Sequence, residues 1–353
     1  LCHRGQSRAT PEYLLHMGHS AIPQVSVVIC HHTGRLITRC LNSVYQSRGV
    51  TYGVIVITSD ATYADTRPLI YFDPRGPAHK RNVGVARSRS PTVVFLDDDV
   101  EVSPYCLYEL WRFLEEHPRC GMAFAKIYNM ERRDEFDDCG SWLTYSGFLY
   151  ARAGNHQVDC HQFDQPIQCL ASKSATCAIR REVFAECGGF DASYFILGED
   201  SDIAWRVWLR GWEVWYTPHA VSWHAFGCET IKPRADHYTI ERTMTYGCRN
   251  YLSMLWTNLG SIRLCAIFPL HVCAWLISGL GFLIQGDASR AMAVMRGLQQ
   301  FCQRLPALLR KRYYIQSTRV ISDRVLFQSI YYSPSLTYYL KRMWRYWTTQ
   351  LHG

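Results

Sequence analysis

The feature that most constrains this chain is a series of short apolar, β-branched runs separated by segments whose apolar residues recur at helical spacing. Runs of this length and composition are typical of buried strands. Strands alternating with helices favour a largely parallel sheet that is covered by helices on both faces. The sequence therefore predicts an α/β fold. The predicted strands are residues 25–30, 54–57, 69–72, 92–96, 122–125 and 213–216.

The segments between these runs carry the helical signals. Pro104 and Pro118 bracket one predicted helix, and Gly188 and Gly211 follow the ends of two others, as expected for residues that begin or end helices. The polar segment 128–168 has no clear periodicity and is predicted to be a long loop over a cleft. The predicted helices are residues 36–44, 81–89, 104–118, 180–187 and 200–210.

The fourth apolar run leads directly into Asp97, Asp98 and Asp99. Ligands of parallel sheets bind beyond the carboxyl ends of the strands, which is where these aspartates fall. Three adjacent carboxylates repel one another, so a nearby cation is expected to offset their charge. Oxygen ligands of this kind suit Mg²⁺ or Mn²⁺ that is shared with substrate phosphates. An acidic turn without function is the alternative, since aspartate is common in turns.

A second acidic run, residues 199–202, precedes the predicted helix 200–210. Carboxylates at a helix start often act only as caps or dipole partners, and Glu199 and Asp202 are expected to share one side of the helix in that role. Asp200 is expected to point elsewhere. His224 follows the last predicted strand; a single histidine is usually structural, but together with the Asp-x-Asp of residues 97–99 it is a candidate third metal ligand.

Composition limits the class of protein. Hydrophobic residues make up 48% of the 353-residue chain, which excludes intrinsic disorder and is sufficient for a sizeable core. None of the fifteen cysteines forms a Cys-x-x-Cys pair, and several lie in apolar runs, so they are interpreted as small buried hydrophobic residues in a reducing compartment. The first twenty residues lack the apolar segment of a signal peptide.

The C-terminal part carries the charge excess. From residue 285 onward there are eleven basic and two acidic residues, a net charge of +9 against +8 for the whole chain. An apolar run at 264–284 precedes this segment; it suits a membrane span, helices lying in the membrane interface, or a buried core helix. Basic residues that alternate with Leu, Trp and Tyr favour an anionic membrane surface over nucleic acid, and a solvated basic face is the alternative.

Six segments resemble glycosyltransferase family 2 in sequence and in order, over residues 23 to 226. They are VSVVI at 25–29, AHKRNVGVA at 78–86, FLDDDV at 95–100, RREVFAECGGFD at 180–191, GEDSDIAWR at 198–206 and VSWH at 221–224. The segment LPALLRKR at 305–312 is similar to bacterial rhamnosyltransferase-like members that associate with membranes.

This resemblance implies a GT-A fold, that is, a Rossmann-like nucleotide-binding domain with a mostly parallel central sheet. The expected organisation is a polar N-terminal extension at 1–22, the GT-A domain at 23–250, and a basic, aromatic-rich helical membrane-associating region at 251–353. The implied reaction is the inverting transfer of one sugar from a UDP-, dTDP- or GDP-linked donor to a hydroxyl of a glycan or lipid-linked acceptor. The implied location is the cytoplasmic side of the membrane, as a peripheral or monotopic protein.

The resemblance also implies roles for individual residues. Asp97, Asp99 and His224 would hold Mg²⁺ or Mn²⁺, and Asp200 would be the general base that accepts the proton of the acceptor hydroxyl. The residues expected to contact the nucleotide sugar are Asp60, Lys80, Arg81, Asn82, Asp97, Asp98 and Glu199.

Three departures from the family pattern qualify these roles. Thr58 and Ser59 stand where the family usually has an aspartate for the nucleobase, and Asp60 follows them. Residues 173–176 lack the usual glycine, and residues 209–212 lack the Gln-x-x-Arg-Trp of polymer synthases, which favours a single addition. A catalytically degenerate GT-A domain that serves as a membrane-bound binding or assembly partner is therefore the alternative function. A nucleotidyltransferase is disfavoured because no glycine-rich phosphate loop follows the first strand.

Overall fold

The structure is a computed structural model. It describes residues 22–333 apart from 33, 35, 154–156, 226–227 and 229–238, together with residues 335, 337 and 338. The predicted N-terminal extension lies almost entirely outside the described residues, as do the last three basic residues of the tail. The division into domains at residues 22 and 250 stays a prediction.

The strands lie close to where the apolar runs predict them, and several short strands are added. They are β1 (Val25–His31), β2 (Tyr52–Thr58), β3 (Leu69–Phe72), β4 (Thr92–Asp97), β5 (Val100–Val102), β6 (Cys120–Asn129), β7 (Phe136–Asp138), β8 (Ser141–Leu143), β9 (Leu149–Ala151), β10 (Ile167–Gln168), β11 (Thr176–Arg180) and β12 (Glu213–His224).

The helices follow the predicted order and continue through the C-terminal part. They are α1 (Leu36–Tyr45), α2 (Pro77–Arg87), α3 (Cys106–Glu116), α4 (Arg181–Glu186), α5 (Glu199–Leu209), α6 (Ile240–Asn258), α7 (Ser261–Ile284), α8 (Ala288–Ser317) and α9 (Asp323–Ile330). A single 3₁₀ turn, Ala192–Tyr194, precedes α5.

The central sheet has the order β10-β12-β6-β11-β4-β1-β2-β3. Strands β3, β2, β1 and β4 are parallel, and β6 and β12 run parallel to each other. Strand β11 lies between β4 and β6 and is antiparallel to both. The expected mostly parallel α/β sheet is thus confirmed, with β11 as an antiparallel strand inside it.

Alternating residues of the strands fill two separate cores, because successive side chains point to opposite faces of a sheet. Val28 and Phe95 pack with residues of α2, α4 and α5 on one face. Ile29 and Leu96 pack with residues of α1 and α3 on the other. Both faces are covered, as the strand and helix alternation predicts.

Two interpretations of the sequence need correction. Segment 128–168 is not one irregular loop, because it contains β7, β8, β9 and β10; strands of two or three residues are too short to show a periodicity. Most described cysteines are free and buried as expected, but Cys265 and Cys273, which lie in the apolar run, are exposed on α7.

Helices α6, α7 and α8 pack against the α/β part of the fold, and α8 lies along α6. Where α8 crosses α6, residue 297 must be glycine, because a Cβ on Gly297 would lie only 2.7 Å from the Cβ of Cys248. Helix α7 buries Ile267, His271 and Phe282 against its neighbours and leaves Ile277 and other large apolar residues exposed.

Among the described residues, α7 is the one helix long and apolar enough to cross a membrane. Only 22% of its most apolar 18-residue window is buried, so it lacks the burial of a core helix. A span and a helix lying in the membrane interface both remain compatible with its length and composition.

Candidate active site

A cleft of about 320 Å³ opens beyond the carboxyl end of β4 and beside the start of α5. The lining residues fall into two chemically distinct sets, which are called the charged side and the largely apolar side below. The charged side includes Arg81, Asp97, Lys173, Glu199, Asp200 and His224. The largely apolar side includes Leu149, Ile196, Leu197, Gly198, Asn250, Tyr251 and Met254.

The three predicted metal ligands lie together, and two of them, Asp97 and His224, line the cleft. Strand β4 ends at Asp97, and the chain then turns so that β5 pairs with the end of β12, with Val100 opposite His224. This register places His224 beside Asp99, with 3.4 Å between Nε2 and Oδ1. One ligand atom from each of Asp97, Asp99 and His224 lies within 4.8 Å of the others. The group fits a divalent cation, since carboxylates and an imidazole are suitable donors for Mn²⁺ or Mg²⁺.

A further carboxylate orients the histidine. Nδ1 of His224 lies 2.9 Å from Oδ2 of Asp137, whose other oxygen accepts a 2.5 Å hydrogen bond from Nζ of Lys173. A histidine that ligates a metal is commonly held in this way at its other ring nitrogen. Burial disfavours the charged imidazole, but Asp99 and Asp137 raise the pKa of His224 to about 10. Burial also opposes the charge of Asp137, yet Lys173 and His224 lower its pKa to about 2.

Arg81 connects the two acidic runs. Its buried guanidinium donates to Oδ1 of Asp97 at 2.8 Å and to Oε1 of Glu199 at 3.2 Å. Burial disfavours the charged form, but Asp97 and Glu199 raise the pKa of Arg81 further above its usual value. Arg81 therefore stays cationic between two carboxylates at the charged side of the cleft.

Three of the residues predicted to contact the nucleotide are outside the cleft lining: the side chains of Lys80, on α2, and Asp98, after β4, reach the end of β1, and Asp60 follows β2. Nζ of Lys80 donates to the main-chain oxygen of His31 at 2.5 Å and to Oγ of Ser59 at 2.8 Å. Asp98 accepts from Nδ1 of His31 at 2.8 Å, which turns its carboxylate away from that of Asp99. The side chain of Asp60 accepts from both N and Oγ1 of Thr62.

Asn82 lies further from the cleft. Its amide donates to the main-chain oxygen of Phe190 at 2.8 Å and accepts from the nitrogen of the same residue at 2.9 Å. The structure thus uses Asn82 to fix the turn that follows Gly188 and Gly189. A contact between Asn82 and a nucleotide stays a prediction.

The second acidic run diverges within a single helical turn. Asp200 lines the cleft, accepts from the nitrogen of Ser201 at 2.7 Å, and has a pKa raised by burial. Burial and the neighbouring Asp200 raise the pKa of Glu199 to about 7, although Arg81 opposes this. Asp202 points to the opposite side, away from the cleft.

Asp202 is fully buried at the junction of three helices. Its carboxylate lies 2.8 Å from Nη2 of Arg206, 3.0 Å from Nζ of Lys311 and 3.0 Å from Nδ2 of Asn258. The expectation that Glu199 and Asp202 share one side is wrong, because the long side chain of Glu199, at the first helical residue, reaches back to Arg81.

Sequence reasoning missed four residues of this region. Asp137 and Lys173 approach His224 only because β7 pairs with β6, a contact that no local pattern reveals. Asn250 and Tyr251 lie on α6, beyond the segments that resemble the family. The absence of the expected glycine from residues 173–176 is the one local signal that pointed to this region.

Comparison with known sequences agrees with the segment order. The sequence profile of the family described as "Glycosyltransferase like family 2" matches residues 23–242. An uncharacterized protein of Mycobacterium tuberculosis is 28% identical over 251 residues, which cover 64% of this chain and 76% of that protein. The N-acetylglucosaminyl-diphospho-decaprenol L-rhamnosyltransferase of the same organism is 35% identical over 68 residues, 19% of this chain and 22% of its own.

Solved structures share the fold. GalNAc-T7, crystallised with UDP, GalNAc and Mn²⁺, superposes with a TM-score of 0.54 at 13% identity, over 81% of this chain and 58% of that chain. Staphylococcus aureus TarS 1-349 in complex with UDP-GlcNAc superposes with a TM-score of 0.50 at 15% identity, over 84% and 88% respectively. At such identities the likeness concerns the GT-A fold alone.

Proposed function

The chain belongs to glycosyltransferase family 2, and from that membership we propose that it is an inverting, metal-dependent enzyme that adds one sugar to an acceptor hydroxyl. A single observation carries this proposal. Two members of the candidate metal group formed by Asp97, Asp99 and His224 line one cleft, namely Asp97 and His224, and the same cleft is lined by a separate carboxylate, Asp200, that is outside this group. Inverting transfer needs these two elements, because the leaving diphosphate and the attacking hydroxyl lie on opposite faces of the sugar.

The charged side of the cleft is the proposed donor side. Asp97, Asp99 and His224 would hold Mg²⁺ or Mn²⁺, which would supply positive charge to offset that of the departing diphosphate. Asp137 holds the ring of His224, and Arg81 keeps Asp97 in place. Lys80, Asp60 and Asp98 are proposed to border the nucleotide at the ends of β1 and β2, and Asn82 and Glu199 to support this side.

Asp200 is the proposed general base. Its carboxylate accepts the proton of the acceptor hydroxyl while the hydroxyl oxygen forms the new bond to the anomeric carbon and the bond to the diphosphate breaks. Burial raises the pKa of Asp200, which makes the carboxylate a stronger base than an exposed aspartate. A base matched to its proton in this way typically contributes about 10²–10⁴ in rate.

The largely apolar side of the cleft favours a lipid-linked acceptor over a free glycan. Leu149 and Met254 offer no polar group to a sugar, and Tyr251, beside them, packs against His271 of α7, with 5.3 Å between their rings. The exposed face of α7 is apolar, with Ile277 and Leu280 more than half exposed. We propose that this face rests on the cytoplasmic side of a membrane and that the cleft receives its acceptor from there.

The basic tail contributes less to membrane binding than its charge suggests. Five of its eight described basic residues have partners within the protein, namely Arg290, Arg304, Lys311, Arg312 and Arg319. Arg296, Arg310 and Arg324 are exposed. Each basic residue near an anionic surface contributes about 1 kcal/mol, so these three provide a secondary attraction beside the apolar face.

The test of the catalytic proposal is a screen of UDP-, dTDP- and GDP-linked sugars for hydrolysis and transfer, with Mn²⁺, with Mg²⁺ and with EDTA. We expect one nucleotide class to be cleaved only when the metal is present. A chain that binds a nucleotide sugar but neither hydrolyses nor transfers it under any condition would favour the degenerate binding partner instead.

The membrane proposal is tested by flotation of the full chain with anionic and with neutral liposomes. We expect the double substitution Ile277→Gln and Leu280→Gln to abolish flotation with both. Replacement of Arg296, Arg310 and Arg324 by glutamine is expected to weaken flotation with anionic liposomes only. Unchanged flotation of the apolar variant would show that another segment binds the membrane.

A further inference from the structure

The loop that precedes the proposed base has an unusual backbone. Between Tyr194 and Glu199, the residues Phe195, Leu197 and Gly198 have φ values of 63°, 71° and 87°. Only glycine adopts such values without steric cost, and Phe195 and Leu197 are large. Strained backbone of this kind persists only where neighbouring groups hold it, and it is concentrated at functional sites.

The side chain of Asn250 makes three contacts with this loop, and Nη2 of the adjacent Arg249 also donates to the main-chain oxygen of Tyr194, at 2.9 Å. Nδ2 of Asn250 lies 3.1 Å from the main-chain oxygen of Tyr194, 2.8 Å from that of Ile196 and 2.8 Å from that of Leu197. Oδ1 of the same amide accepts from Nε of Arg249 at 2.8 Å. Asn250 is only 1% exposed, so water does not substitute for it. An amide group has two hydrogens, and here they are shared among three carbonyls.

The loop held by Asn250 forms part of the cleft. Ile196, Leu197 and Gly198 line its largely apolar side, and the next two residues are Glu199 and Asp200. The path of the chain from Tyr194 to Gly198 therefore determines where α5 begins and where the carboxylate of Asp200 lies. A displacement of a catalytic group by about 1 Å can lower a rate by roughly 10².

We propose that Asn250 is a positioning residue for the transfer reaction, acting through the strained loop on Asp200 and on the acceptor side of the cleft. This inference rests on the proposed function of Asp200 as the base. Asn250 touches neither the candidate metal group nor Arg81 in the contacts that the structure describes. Its effect should therefore fall on the acceptor and on the chemical step, and leave donor binding unchanged.

The adjacent residue of α6, Tyr251, contacts a second segment of the largely apolar side. The hydroxyl of Tyr251 donates to the main-chain oxygen of Gly147 at 2.5 Å and accepts from the nitrogen of Leu149 at 3.0 Å. Leu149 also lines the cleft. Two consecutive residues of α6, Asn250 and Tyr251, thus hold two separate segments of the largely apolar side, residues 194–197 and 147–149. In this way α6 can influence acceptor binding without contacting the candidate metal group.

The test compares Asn250→Ala with Ser253→Ala, a matched substitution of a fully buried residue on the same helix whose hydroxyl bonds only within α6. For Asn250→Ala we expect kcat for transfer to fall about 10- to 100-fold and KM for the acceptor to rise. The Kd of the donor in the presence of Mn²⁺, measured by titration calorimetry, should stay within about twofold of wild type. Ser253→Ala should change none of these quantities.

A second readout does not depend on activity. Hydrogen exchange of the full chain, followed by mass spectrometry, should be faster in residues 194–198 of Asn250→Ala than in wild type, and unchanged in β1 and β4. If Asn250→Ala fails to fold, Asn250→Ser keeps one donor and should show the same changes to a smaller degree.

Three results would overturn the inference. They are a wild-type kcat in Asn250→Ala, a parallel loss of donor affinity and transfer, and unchanged exchange in residues 194–198. Absence of transfer by the wild-type chain from every donor would instead refute the proposed function, and the exchange measurement would still decide whether Asn250 holds the loop.

Discussion

The two acidic runs that border the cleft, residues 97–99 and 199–202, have similar compositions but are organised differently. In the first run, alternate aspartates face the same group, since Asp97 and Asp99 approach His224 while Asp98 turns to His31. In the second run, Glu199 and Asp200 line the cleft with different partners, whereas Asp202 points away from the cleft to Arg206 and Lys311. The first arrangement can hold a cation, whereas the second provides single carboxylates with separate roles.

The difference follows from the backbone at each place. A strand that ends in a turn presents alternate residues to one side, so Asp97 and Asp99 converge. A helix rotates successive residues by about 100°, so the members of the second run diverge. Asp200 faces the cleft, while Asp202 faces Arg206 and Lys311. Acidic runs of equal charge thus have functions that depend on the element that carries them.

The largest effect is expected in the first run. Asp99→Ala removes a carboxylate that lies beside both the candidate metal position and His224, and we expect Mn²⁺-dependent donor cleavage to fall to background. His224→Ala should weaken it less, because two carboxylates remain. The Mn²⁺ affinity of Asp99→Ala is measured by titration and compared with that of Asp98→Asn, which removes a neighbouring charge outside the candidate metal group. Asp99→Ala that stays fully active in EDTA would refute the metal group.

The next effect concerns the second run. Asp200→Asn keeps the shape of the side chain but removes the proton acceptor, so we expect kcat for transfer to fall about 10²–10⁴. Donor affinity should be retained, because the candidate metal group is untouched. Kinetics of Asp200→Asn are compared with those of Glu199→Gln. If Glu199→Gln is inactive and Asp200→Asn turns over normally, the general base is Glu199, and its assignment to Asp200 is wrong.

How much of this could be predicted from the sequence depends on the distance between the interacting residues. The apolar runs predicted β1, β2, β3, β4 and β6 because a buried strand is a local pattern. The proximity of Asp97 and Asp99 to His224 was predicted from the Asp-x-Asp and the histidine, and the family resemblance implied it as well. Strand β11 was missed because TCAIR leads directly into α4, with no turn residue to separate the strand from the helix.

The remaining features depend on contacts between distant parts of the chain. Lys311 pairs with Asp191 and Asp202, which precede it by more than a hundred residues. The sequence predicts an exposed basic surface for the tail, but this pairing neutralises part of its charge inside the protein. Asn250 recognises three carbonyls whose direction depends on positive φ values. Residue types alone do not encode either arrangement, since both need the packing of α6 and α8 on the sheet domain.

Asp202 should affect stability more than chemistry. Asp202→Asn leaves Arg206 and Lys311 facing each other without their buried carboxylate, and breaking a buried pair in this way costs about 3–5 kcal/mol. We expect a corresponding loss in the free energy of unfolding, measured with urea, and a normal kcat per folded molecule. Lys311→Met should cost less, since Lys311 is partly exposed. A variant that is stable but inactive would assign Asp202 to the chemistry.

The smallest effect is the pH dependence of the same junction. Burial opposes the charge of both Asp202 and Asp191. Nevertheless, Arg206 and Lys311 hold the pKa of Asp202 below the ordinary 3.8. Lys311 likewise holds the pKa of Asp191 below that value. Tyr194, the other titratable group facing Asp202, has a pKa raised by burial and stays neutral. A carboxyl whose pKa is lower in the folded state stabilises the fold above its unfolded pKa, and this stabilisation is lost as pH falls through the folded pKa.

The free energy of unfolding of the wild type should therefore be nearly constant from about pH 7 to 5 as far as this junction contributes, and should decrease below about pH 4. Asp202→Asn has one such carboxyl fewer, so its free energy of unfolding should decrease less over the same interval. The difference between the two proteins, measured by urea unfolding at several pH values, should consequently narrow as the solution becomes more acidic. Parallel curves would mean that Asp202 has the same pKa in the folded and unfolded chains, and that its contacts with Arg206 and Lys311 contribute no net electrostatic stabilisation.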